Sequence, residues 1–226
     1  MLKRNLIGIL AALSLIPVSA IADGSDGNRY SDELVREYHA EISAAAAYLA
    51  TQGHGHHRWK HRGNKAVIID VRTIEEYVGG HPPNAYSIPF PHIYNRQRDP
   101  LKGDYIGQAA EDFVAAVNAL NLPRDTLIIT LCRTGYRSVL AGNLLAAEGY
   151  TNVRNMWEGF KGRLKQNLAG EDLDLDGDGV VDGSDPYSGD LDGWANYQGL
   201  PVSMKLKFSR LHPPYMSTYF NVTGER

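Results

Sequence analysis

Leu127-Ile128-Ile129-Thr130-Leu131-Cys132-Arg133-Thr134-Gly135-Tyr136-Arg137-Ser138 joins two kinds of chain. The first five residues carry no charge and read as a strand buried on both faces. Val139 to Glu148 reads as a helix that ends at Gly149. A strand, a tight loop and a helix turn the loop's N–H groups toward one point, where an anion or a thiolate is stabilised. Cys132, the single cysteine of the chain, opens that loop, with Arg133 and Arg137 beside it. A cysteine at a helix N-terminus next to basic groups is placed to react as the thiolate.

Working outward, Ala66 to Val71 is a second buried strand, with Asp70 and Arg72 at its C-terminal end, where open α/β sheets place their sites. Asp70 is expected to order the loop and Arg72 to pair with a nearby carboxylate. Tyr86-Ser87-Ile88-Pro89 is a short strand. Residues 91–109 form a polar loop carrying Tyr94, Arg96, Arg98 and Lys102. Glu111 to Leu120 is a helix with Phe113, Val114, Val117 and Leu120 facing inward. Alternating strands and helices from 66 to 150 predict an α/β fold, a parallel sheet with helices on both faces. Upstream, residues 31–50 read as a helical extension that opens at Ser31-Asp32-Glu33. Leu34, Val35, Tyr38, Ile42, Ala45, Ala46 and Leu49 share its inner face.

The loop resembles the active-site loop of the rhodanese family, Cys-x-x-Gly-x-Arg-Ser. Ile69-Asp70-Val71-Arg72 with Glu75-Glu76-Tyr77 and Gly80-His81-Pro82-Pro83-Asn84-Ala85 is similar to that family's second signature. Asn84 stands where the family has glycine, and asparagine tolerates the left-handed conformation. Gly149 to Val153 with Trp157-Glu158-Gly159-Phe160 resembles the segment after the catalytic helix, and Trp194 with Gly199-Leu200-Pro201-Val202 resembles the domain's ending. The resemblance implies a rhodanese-like sulfurtransferase. Cys132 would carry a persulfide, taking sulfur from a small anionic donor such as thiosulfate and giving it to a thiol or cyanide. Arg133, Thr134, Gly135, Tyr136, Arg137 and Ser138 would form the substrate-binding loop, with Arg133 and Arg137 steering the donor. No metal is required for that chemistry. Two rival readings remain open: a non-catalytic binding or sulfur-relay module, and a cysteine phosphatase. Phosphatases use the longer Cys-x5-Arg, and a shorter loop closes a smaller cradle.

At the N-terminus, Lys3 and Arg4 precede the apolar run Leu6 to Val18, which is shorter than the ~20 residues of a spanning helix. Ala20-Ile21-Ala22 is a small-residue cleavage site, so residues 1–22 are expected to be a signal peptide and the protein exported, periplasmic or secreted. Cleavage leaves 204 residues and no membrane span. Loss of Lys3 and Arg4 from 23 basic residues against 26 acidic ones takes the net charge from −3 to about −5, which excludes a nucleic-acid surface. Residues 23–63 hold the helical extension and a histidine-rich loop with His54, His56, His57 and His61. Arg58, Lys60 and Arg62 repel a cation there, and no metal site is assigned.

The rhodanese-like domain spans 64–202, and an acidic insertion, 164–192, breaks into its last helix. Asp174-Leu175-Asp176-Gly177-Asp178-Gly179-Val180-Val181-Asp182-Gly183-Ser184-Asp185 fits a twelve-residue calcium loop. Asp174, Asp176, Asp178, Asp182 and Asp185 would offer carboxylates and Val180 its carbonyl to a structural Ca2+. Asp185 replaces the usual glutamate, and Pro186 bars an exiting helix. The tail, 203–226, carries Phe208, Leu211, Tyr215, Tyr219 and Phe220. It packs back on the domain or meets a protein partner.

Overall fold

A computed structural model describes residues 35–53, 66–95, 105–183 and 189–223. The signal segment, the histidine-rich loop, Arg96, Arg98, Lys102 and Asp185 lie outside the described residues.

The sheet is built around β6 (Ile128–Leu131), whose four residues are all buried. Parallel neighbours flank it. β2 (Val67–Asp70) pairs Val67 with Ile128 and Asp70 with Leu131, and β7 (Val153–Met156) pairs Val153 with Ile128. β1 (Ala40–Ile42) and β3 (Tyr86–Ser87) form the edges, giving the order β1-β7-β6-β2-β3. Side chains alternate across this sheet, as its two-residue period requires. Ile68, Ile129 and Leu131 face α1 (Ala44–Thr51), α2 (Ile74–Val78) and α5 (Met216–Thr223). Ile69, Ile128 and Val153 face α3 (Ala110–Asn118) and α4 (Tyr136–Ala147). The expected α/β fold, with a parallel sheet between two helical layers, is what the chain adopts. Leu131 ends the central strand, so Cys132 stands at the C-terminal edge of the sheet. No helix among the described residues is long and apolar enough to cross a membrane.

Four expectations need correction. Residues 31–50 are not one helix in their described part. Ala40–Ile42 is an edge strand on β7, and α1 begins only after Ser43, whose hydroxyl accepts the Ala46 N–H at 3.2 Å. Val35 and Leu49, assigned to the inner face, are exposed. Residues 91–109 are not simply a loop. β4 (His92–Asn95) and β5 (Tyr105–Gly107) form an antiparallel hairpin with Ile93 and Asn95 buried. The acidic insertion does not interrupt a helix, because the described chain between Met156 and Phe208 consists of turns and isolated bridges. Finally, the catalytic helix starts at Tyr136 rather than Val139.

The tail packs back. Tyr219 is fully buried, meets the Tyr77 ring edge-on at 6.2 Å and donates to Ser87 Oγ at 2.7 Å, and Leu211 joins the same core. Tyr219→Ala is therefore expected to lower stability by about 3–5 kcal/mol, as large-to-small changes at buried aromatic positions do. Chemical denaturation checks this; an unchanged midpoint would mean that the tail is not docked.

Candidate active site

Gly135 ends the Cys132 loop in the left-handed region, at φ 94°, and caps α4. That conformation costs a residue with a Cβ and costs glycine little. It turns the Gly135 N–H back onto Cys132 Sγ, 3.1 Å away. Ser138, fully buried in the first turn of α4, holds its Oγ 3.3 Å from the sulfur and 2.9 Å from the Gly135 carbonyl, so its one proton serves either acceptor. Cys132 itself is buried. The sulfur thus sits among donors at a helix N-terminus, an arrangement that favours negative charge on it.

The two arginines beside Cys132 differ. Arg133 is exposed and has no ion pair among the described residues. Arg137 forms a two-pronged ion pair with Glu76, at 2.7 and 2.9 Å. Glu76 is also the third residue of α2 and closes a capping box with Thr73, so the helix start aims its carboxylate. Burial raises the Glu76 carboxyl, but the charge and hydrogen bonds of Arg137, helped by Arg72, outweigh it and hold it at about 2. Burial likewise pulls the Arg137 guanidinium down, and Glu76 more than compensates, so it is held above its ordinary value. Arg137 is engaged, and Arg133 is the arginine of the loop left exposed.

Asp70 and Arg72 are both buried and pair with each other, Arg72 Nη2 to Asp70 Oδ2 at 2.6 Å. Arg72 also donates to the Gly80 carbonyl at 2.8 Å and lies 3.8 Å over the Phe160 ring. One guanidinium therefore joins the strand end at Asp70, the turn at Gly80 and the segment at Phe160. The anticipated carboxylate partner of Arg72 is Asp70. In the turn, Asn84 adopts φ 66°. The chain after β7 holds the catalytic loop from behind. Phe160 N–H donates to the Cys132 carbonyl at 2.8 Å, and Lys161 and Gly162 N–H groups donate to the Arg133 carbonyl at 3.0 and 3.2 Å. The close approach requires Gly159, where a Cβ would lie 2.5 Å from the Arg133 oxygen.

A family model for the rhodanese-like domain matches residues 44–166. The chain belongs to the rhodanese-like family. Within known proteins it is 34% identical over 99 residues to an uncharacterized Rickettsia prowazekii protein, RP600, a stretch covering 44% of this chain and 72% of that one. It is 32% identical over 92 residues to a protein named Thiosulfate sulfurtransferase 18 of Arabidopsis thaliana, covering 41% of this chain and 62% of that one. Among solved structures, Rv0390 from M. tuberculosis aligns over 74% of this chain and 99% of its own, at 22% identity and a TM-score of 0.46.

The match to the rhodanese-like domain ends at Gln166, near the start of the acidic insertion. There the carboxylates of Asp174, Asp176 and Asp190 place oxygens within 4.8 Å of one another. Asp190 is fully buried and accepts the N–H groups of Leu175 at 2.6 Å and Asp182 at 2.9 Å. The Asp178 N–H lowers the Asp176 carboxyl, yet desolvation and the charges of Asp178, Asp190 and Asp174 raise it above its ordinary value. Asp178 and Asp182, expected as ligands with the Val180 carbonyl, are not part of that triad; Asp178 accepts the Val180 N–H instead. Asp190 fell outside the twelve-residue template, which is why sequence reading missed it. Glu76 was in view as part of a signature, but its partner was not, because Arg137 lies 61 positions away. His92 and Tyr105, rings 4.8 Å apart on the hairpin, were assigned to a loop. Burial first, and then the Arg137 charge, holds His92 below its ordinary value, and the Asn95 N–H ties the hairpin to α2 by donating to Glu75 at 3.0 Å.

The Glu76–Arg137 pair has a pH signature. Glu76 drops from 4.5 to about 2 on folding, so its stabilisation is complete above about 4.5 and is lost as pH falls toward 2. Glu76→Gln is expected to cost roughly 1–3 kcal/mol near neutral pH, the range for hydrogen bonds to charged groups. Urea unfolding across pH should show the gap between wild type and variant shrinking below about 4.5. A gap independent of pH would contradict the pairing.

Proposed function

We propose that the protein is a sulfurtransferase that moves sulfane sulfur from thiosulfate to cyanide or a thiol through a persulfide on Cys132. The observation that carries this reading is the sulfur's position, 3.1 Å from the Gly135 N–H and beside the Ser138 hydroxyl at the start of α4. The thiolate attacks the outer sulfur of the donor. A bond forms between Sγ and that sulfur, the donor's S–S bond breaks, and its electron pair leaves with sulfite. Cyanide carbon then attacks the outer sulfur, a C–S bond forms, and the pair from the broken S–S bond returns to Cys132 as thiolate. Donors at the helix N-terminus stabilise the negative charge carried by sulfur in each half-reaction. Arg133 attracts the anionic donor. Arg137 positions the loop through Glu76, and its engagement argues against a phosphatase, whose loop arginine must face the transferred phosphate.

Thiocyanate formation from thiosulfate and cyanide is the test. Cys132→Ser is expected to abolish it without unfolding the protein. Arg133→Ala is expected to raise KM for thiosulfate roughly 3–10-fold with kcat little changed, as loss of a steering charge does. Aryl phosphate hydrolysis faster than sulfur transfer would overturn the reading.

The acidic insertion we assign to a structural Ca2+. Asp174, Asp176 and Asp190 supply the hard oxygen donors calcium prefers, and a cation relieves the repulsion that raises Asp176. Sites of this kind in extracellular modules have dissociation constants of ~10⁻⁴–10⁻³ M. They fill only where calcium is abundant, in keeping with export of the chain. At 100 times the dissociation constant, calcium is expected to add about 2.7 kcal/mol of stability. Melting curves with calcium and with chelator check this. Superimposed curves, or no loss of the effect in Asp190→Asn, would contradict it.

A further inference from the structure

A cavity of about 610 Å³, lined by no residue of the Cys132 loop, is not used by the sulfur chemistry. Its volume is that of ordinary small-molecule sites, about 300–1,000 Å³. One wall is a single face of α3. Asp112, Ala115, Ala116 and Ala119 recur there at helical spacing, and three alanines in that register leave a shallow apolar channel. The C-terminal segment Phe208–Tyr215 forms the facing wall, with the Phe208 ring 67% exposed.

Two side chains on that segment carry donors without an acceptor among the described residues. Arg210 lies 3.9 Å over the Tyr86 ring and has no ion pair among the described residues. His212 is 95% removed from solvent, being 5% exposed, and its Nδ1 has no hydrogen-bond partner. The Gln108 amide, turned so that its nitrogen donates, satisfies the Pro89 carbonyl at 3.1 Å and His212 Nε2 at 3.3 Å. An accepting Nε2 assigns the ring proton to Nδ1. Burial keeps the ring neutral, holding His212 below its ordinary value against the opposing charge of Asp112. That Nδ1 is itself out of reach of solvent, so His212 closes the cavity wall and offers no donor to it. Apolar walls with an unpaired cation at one side match a molecule with an apolar body and an anionic oxygen head.

We propose that this cavity binds a small amphipathic carboxylate, its body along Ala115, Ala116 and Ala119 and its head toward Arg210. The site is separate from Cys132 and does not depend on the chemistry proposed there.

Decanoate, titrated into the full-length protein below its micellar concentration and followed by calorimetry, is the probe. Saturable one-to-one binding is expected, with 1-decanol weaker by about tenfold, the equivalent of one lost ionic hydrogen bond. Ala115→Trp, which fills the channel from an exposed position, should abolish binding and leave thiocyanate formation unchanged. Arg210→Gln, a second variant at the surface, should weaken decanoate about tenfold and leave decanol unaffected. No saturable binding of decanoate, equal binding of decanol, or binding indifferent to both substitutions would each overturn the assignment.

Discussion

The catalytic loop is held from behind by the backbone that follows β7. Cys132 and Arg133 give their carbonyls to the N–H groups of Phe160, Lys161 and Gly162. Further along the same loop, the Gly135 N–H points at the sulfur, 3.1 Å away. That clamp explains why Gly159 must lack a side chain, and why a motif far along the chain belongs to the site. It also links the insertion to the chemistry. Asp192, at the insertion's end, accepts the Arg163 N–H at 2.9 Å, directly after the residues that hold the Arg133 carbonyl.

Around this clamp, two ion pairs and one exposed arginine divide the work. The Asp70–Arg72 pair is buried, and its value lies in geometry as much as energy, because buried ion pairs recover little beyond their desolvation cost. Arg72 spans three segments, the strand end at Asp70, the turn at Gly80 and the chain at Phe160. Glu76 and Arg137 tie α2 to α4 across the loop. Arg133 remains outside, exposed and oriented by nothing but its backbone. The two arginines of one motif are thus placed differently, one engaged by Glu76 and the other exposed.

Much of this was legible in the chain. The run from Leu127 to Ser138 announces a buried strand, a loop and a helix, because hydrophobic continuity and turn chemistry are local properties. The edges were not. Ala40–Ile42 is three residues long and takes its strand conformation from β7, 114 positions away between Ala40 and Arg154. An alanine-rich stretch read alone looks helical, since alanine favours helix wherever tertiary pairing does not intervene. The hairpin at His92–Asn95 and Tyr105–Gly107 hid in polar sequence for the same reason: only Ile93 and Asn95 turn inward. Asp190 was missed because the carboxylate that joins Asp174 and Asp176 is brought there by the fold of the insertion rather than by template spacing. The chemistry-bearing residues were readable where their partners are near in sequence, and unreadable where a long-range contact decides their role.

The central claim is that the donors around Cys132 make its sulfur a carrier of transferable sulfur. Intact-protein mass spectrometry of material taken directly from cells, with peptide mapping and no reducing agent, tests this most directly. The account predicts one additional sulfur atom on Cys132, removed by cyanide and regained on exposure to thiosulfate. A cysteine that never gains sulfur from thiosulfate or any other persulfide donor, in protein that is folded by circular dichroism, would contradict it.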